Sequence, residues 1–98
     1  MKYANQINSV ENKDNKTLTN YHVDGLGSGF DEHKHEWEHT ITCTKGSIKI
    51  VENGQETIIT PTNGTFTFQK NTKHSVEVLE DGTEFYTVHP LPSEEPVV

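Results

Sequence analysis

Four dipeptides punctuate the stretch between residues 45 and 82: Lys45-Gly46, Asn53-Gly54, Asn63-Gly64 and Asp81-Gly82. Asn-Gly and Asp-Gly supply the positive φ that two-residue hairpin turns demand, so they mark places where an extended strand reverses on itself. Around them lie short runs rich in β-branched and aromatic residues, which predict strands over 18–23, 38–44, 47–52, 55–60, 64–69, 74–79 and 83–89. No window of about eleven residues carries the apolar i, i+3, i+4, i+7 repeat free of turn formers, which argues against a long helix. Several short strands at close spacing predict an all-β domain, an antiparallel β-barrel or jelly roll.

The ends read differently from the centre. Residues 1–17 are rich in Asn and Lys and show no regular period, which predicts a flexible N-terminal arm or an edge strand swapped with a partner. Residues 91–98 include two of the chain's four prolines and predict an extended tail, leaving 18–90 as a single domain. At 98 residues the chain suits one domain, close to the size at which one core is marginal without a further stabilising device. A lone cysteine, Cys43, cannot form an internal disulfide, so that device has to be a metal or oligomerisation. The net charge of -7 repels phosphate backbones and anionic membranes, which argues against nucleic acid or a membrane surface as partner. No signal-like or membrane-spanning apolar run is present, and a cytoplasmic protein is the expectation.

The stretch HKHEWEH, residues 33–39, holds three of the six histidines. In an extended chain alternate side chains share a face, so His33, His35 and His39 fall on the side of Ile41 and Cys43, while Glu36 and Glu38 point away. Three imidazoles aimed at a core are costly unless something binds them, and a shared metal ion removes that cost. His74 heads a second alternating strand with Val76 and Val78 and is the natural fourth ligand. Glu38 could replace His39 only if the strand slipped by one residue, which would turn Ile41 and Cys43 outward. Four imidazoles suit Fe(II), Ni(II), Zn(II), Cu(II) or, least well, Mn(II).

These residues resemble the cupins. The first cupin motif, G-x5-H-x-H-x3-E-x6-G, is matched in every spacing by Gly27, His33, His35, His39 and Gly46, with His39 where the family has Glu. The second, G-x5-P-x-G-x2-H-x3-N, is matched more loosely: Asn63, Gln69, Asn71, His74 and Val78 stand at its fixed positions. Asn at 71 tolerates the left-handed backbone a turn glycine adopts, so that replacement is mild.

The resemblance implies a cupin-type jelly roll, one divalent transition metal on His33, His35, His39 and His74, and a homodimer in which the arm at 1–17 could be exchanged. It also implies a small metalloenzyme of dioxygenase, isomerase or lyase type acting on a small anionic or enolisable molecule; the alternative is a non-catalytic binding or sensing module with a largely structural metal. Four neutral ligands would leave a divalent ion its full charge and favour anionic ligands. The remaining candidates have plainer readings. Cys43 is a small buried hydrophobe, Trp37 covers the rim of the core, His89 before Pro90 is a strand end, and the face of Tyr86 is open. The glycines of GLGSG, residues 25–29, read as a flexible loop leading to the ligands.

Overall fold

The computed structural model describes residues 2–3, 7–13, 16–24, 28–34 and 38–90. Ten strands run through them: β1 (Lys2–Tyr3), β2 (Ile7–Lys13), β3 (Lys16–Val23), β4 (Ser28–His33), β5 (His39–Lys45), β6 (Ile48–Glu52), β7 (Gln55–Ile59), β8 (Thr65–Phe68), β9 (His74–Val78) and β10 (Thr83–Pro90). They form two five-stranded sheets, one ordered β1-β4-β9-β6-β7 and the other β2-β3-β10-β5-β8. Every pairing is antiparallel except β1 against β4, and the chain crosses repeatedly from one sheet to the other, as in a jelly roll. Among the described residues no ladder joins the two sheets, so the expected barrel is an unclosed sandwich.

Alternation builds the core. In β3 and β9 every second residue is buried, and Tyr21, Val23, Val76 and Val78 meet Ile41, Ile48, Ile50, Ile59, Phe68 and Phe85 between the sheets. Tyr21 stacks on Phe85 at 4.8 Å within one sheet and meets Phe30 of the other edge-on at 5.8 Å, tying the layers together. The turns follow the local chemistry. Asn53 (φ 51) and Gly54 (φ 82) both take positive φ between β6 and β7, the signature of a type I′ hairpin. Asn71 sits at φ 58, the left-handed conformation expected where the cupin motif has glycine.

The seven predicted strands are all present, with ends within about two residues. Three more were not drawn from the sequence. β2 lies at the edge of its sheet against β3 of the same chain, within the segment read as an arm or exchanged strand. β4 takes in Ser28 and Gly29, which the sequence assigned to a loop, and β1 is a two-residue pairing on β4.

Candidate functional site

The stretch 33–39 is not one continuous strand. β4 ends at His33 in one sheet and β5 begins at His39 in the other, so the alternation argument across 33–43 fails as stated. What replaces it is a crossing: the chain delivers one histidine to each sheet at the same end of the sandwich. On one side the Cα register aligns His33 with His74, and His74 with Glu52. On the other, Val88 opposite Thr40 carries His89 in beside His39, with Phe68 opposite His39 and Thr17 opposite His89.

His39 and His74 are 2% and 1% exposed, and their ring centres stand 5.1 Å apart across the gap between the sheets. Phe68 packs against both, 4.6 Å from His39 and 4.1 Å from His74, and fixes their orientation with an apolar wall. At metal–nitrogen distances of about 2.1 Å, two imidazoles on one ion hold their ring centres about 4.5–5.2 Å apart at bond angles between square and tetrahedral. The observed pair fits that spacing. The Nδ1–H of His74 donates to the Thr72 carbonyl at 3.2 Å, so Nε2 carries the lone pair, the tautomer a metal ligand needs.

Of the other expected ligands, His33 is placed by its backbone beside His74, and His35 lies outside the described residues, as does Trp37. Among the described residues no three His, Cys, Asp or Glu side chains are grouped so as to hold a metal. Glu38 is exposed and precedes β5, whereas His39 is buried on the same face as Ile41 and Cys43.

Comparison with known proteins rests on structure. No family profile matches the sequence, and no curated protein matches it. Among solved structures, KdgF from Halomonas superposes with a TM-score of 0.76 at 17% identity, covering 88% of this chain and 78% of its own. A cupin-2 domain protein from Shewanella frigidimarina superposes at 0.70 with 17% identity, covering 89% of this chain and 84% of its own. The fold is that of the cupins. Bacillus subtilis oxalate decarboxylase, a protein with Mn(II) centers, aligns at 0.64 and 22% identity over 78% of this chain, which spans only 21% of that one.

Within this cupin fold two residues gain importance over their sequence reading. His89 is 2% exposed and faces inward, and burial pushes its pKa below the ordinary imidazole value, so the ring is held neutral. With His39 it lines a cavity of about 140 Å³ that also touches Lys16, Glu38, Thr40 and Val88 at the rim. Glu52 shares the inward side of its ladder with His74, and its Oε2 accepts the Gln69 amide at 2.9 Å. Its signal was available in the sequence: Ile48, Ile50 and Glu52 alternate on one face, and only the habit of placing Glu outside hid it. Tyr86 is half-buried on the outer side of β10, between the inward Phe85 and Thr87. His22 is an outer-face residue, with Nε2 3.2 Å from Asp24 Oδ1 and Nδ1 3.5 Å from Glu84 Oε2, and takes no part in the interior cluster.

Proposed function

We propose that this chain is a small metal-binding cupin in which His33, His35, His39 and His74 hold one divalent transition metal, Fe, Ni, Zn, Mn or Cu, and that it is a metalloenzyme of dioxygenase, isomerase or lyase type. Its substrate would be a small anionic or enolisable molecule. The observation that carries the reading is the approach of two buried imidazoles from opposite sheets to 5.1 Å, with β4 bringing His33 alongside one of them. That the oxalate decarboxylase aligned with this chain has Mn(II) centers supports a divalent ion as the metal. A bound ion would supply Lewis acidity, made strong by four uncharged ligands.

The protein's own part is placement and dryness. Thr72 holds the His74 ring through Nδ1, and Phe68 keeps both rings from rotating and excludes water from one side. Glu52, whose Cα pairs with that of His74, gives the inner rim a carboxylate positioned by the Gln69 amide. Elemental analysis of the purified protein tests the reading. One equivalent of transition metal is expected, with loss of most of it in His39→Ala and His74→Ala. Full occupancy in either variant removes that residue from the ligand set, and full occupancy in both overturns the site.

A further inference from the structure

The dipeptide Asn-Gly occurs twice, at 53–54 and 63–64, each time with its asparagine exposed, and the two copies are held in different ways. Such a pair is open to attack from within the chain, because glycine puts no Cβ in the way of its own backbone nitrogen. Asn63 is fastened at both ends of its amide. Oδ1 accepts the Thr60 N–H at 2.7 Å and the Thr60 hydroxyl at 3.2 Å, and Nδ2 donates to the Ile58 carbonyl at 3.1 Å. The flanking backbone is fixed as well: the Asn63 carbonyl accepts the Thr65 N–H at 2.9 Å, and that of Gly64 accepts the Cys43 N–H at 2.8 Å. At Asn53 the backbone N–H donates to the Lys73 carbonyl at 2.9 Å, yet among the described residues no partner holds its side-chain amide. The β6–β7 ladder ends at the Glu52–Gln55 pair, so the N–H of Gly54 lies outside it, and a Cβ built at Gly54 meets nothing within 4 Å.

We propose that Asn53 is a site of spontaneous covalent modification, converted through a succinimide to aspartate and isoaspartate, and that Asn63 is protected from the same reaction by its contacts with Thr60 and Ile58. The Gly54 backbone nitrogen gives its proton to hydroxide or buffer base and bonds to Cγ of Asn53; the Cγ–Nδ2 bond breaks and ammonia leaves. Water then opens the ring. Attack at Cγ restores the ordinary backbone as aspartate, and attack at the main-chain carbonyl leaves the chain running through Cβ and Cγ as isoaspartate. Each product adds one negative charge. Aspartate accepts the φ of 51° that Asn53 holds, so the turn survives it. Isoaspartate lengthens the backbone of a two-residue turn that has no slack. The change is passed to the connection before β9, because Asn53 is bonded to Lys73 and the neighbouring Glu52 to the Gln69 amide. None of this depends on a bound ion.

Full-length protein is incubated in mildly alkaline buffer, folded and in urea, and digested at intervals; mass spectrometry with an isoaspartyl methyltransferase assay gives the rate at each asparagine. In the folded protein Asn53 is expected to react about tenfold or more faster than Asn63, since turning toward Gly64 costs Asn63 its hydrogen bonds. In urea the two rates should converge. Thr60→Val should speed the reaction at Asn63 and leave Asn53 unchanged. Equal rates in the folded protein, or a faster Asn63, overturn the proposal. So does a ratio that urea leaves unaltered, which would mean that neighbouring sequence and not the fold sets the difference. The isoaspartyl form, separated by its added charge, is expected to unfold at lower urea than Asn53→Asp and to shift the Lys73 and His74 amides in NMR spectra; amides unmoved there would overturn the coupling.

Discussion

Cys43 lies in the core with its Sγ 3.5 Å from the Lys45 carbonyl and 3.6 Å from that of Gly46. Burial raises its pKa above the ordinary thiol value of 9.0; a backbone hydrogen bond at Lys45 that favours the thiolate opposes the rise, and the nearby Glu80 charge adds to it. The unfolded chain therefore releases this proton at lower pH than the folded one. Stability contributed by the neutral thiol is complete below the ordinary value and is lost as pH rises through and above it. The unfolding midpoint in urea should fall with pH above about 9, and Cys43→Val should remove part of that slope. At pH near 8 an aromatic disulfide reagent should label the native thiol roughly 100-fold more slowly than the urea-unfolded one; equal rates would mean the thiol is not enclosed. The place of Cys43 in the core was legible because Ile41 and Cys43 alternate in a strand bounded by a turn glycine. His89 was harder to read. Its strand ends in proline, which marks a boundary, and nothing local says that Thr87 and His89 continue the inward series set by Phe85.

At the scale of elements, hairpins were readable and long-range partners were not. Asn53-Gly54 announces its turn through backbone chemistry confined to two residues. β2 and β4 carry no such announcement: INSVENK holds two apolar residues and SGFDEH one, so their pairing with β3 and β9 exists only in the folded register. The break between His33 and His39 escaped for the same reason, since an extended segment keeps its alternation whether or not it changes sheets. Two glycines separate the physical causes. An added Cβ at Gly29 would run into the backbone carbonyl of Val76, which cannot move without breaking the β4–β9 ladder. Gly29→Ala should lower unfolding free energy by about 2 kcal/mol or more and loosen metal retention, because β4 ends on His33. At Gly54 the space is open and only the φ of 82° resists, so Gly54→Ala should cost about 1 kcal/mol. Urea titration of both variants checks the order; a Gly29→Ala protein as stable as wild type would mean that β4 does not press so closely on β9.

At the scale of the whole molecule, the sandwich is sealed by hydrocarbon at one end and by imidazoles and hydroxyls at the other. Among the described residues twelve buried hydrophobic side chains hold the layers. His39, His74, His89, Thr17 and Thr87 are the buried polar groups of the other end. An ion bridging His39 and His74 would cross-link the sheets where, among the described residues, no ladder does, and would bind the folded chain in preference to the unfolded one. Mass action then predicts the size of the effect. At a free metal concentration about a hundredfold above the dissociation constant, stability rises by about 2.7 kcal/mol. For a domain of this size that raises the melting temperature by roughly 10–20 °C. Differential scanning calorimetry of zinc-loaded and chelator-treated protein should show that gap, and His74→Ala should close most of it while leaving the chelated melting temperature within a few degrees of wild type, about 5 °C at most. Coincident melting curves with and without zinc would mean that the two sheets meet at this end without an ion between them, and that the polar end of the sandwich owes its stability to the protein alone.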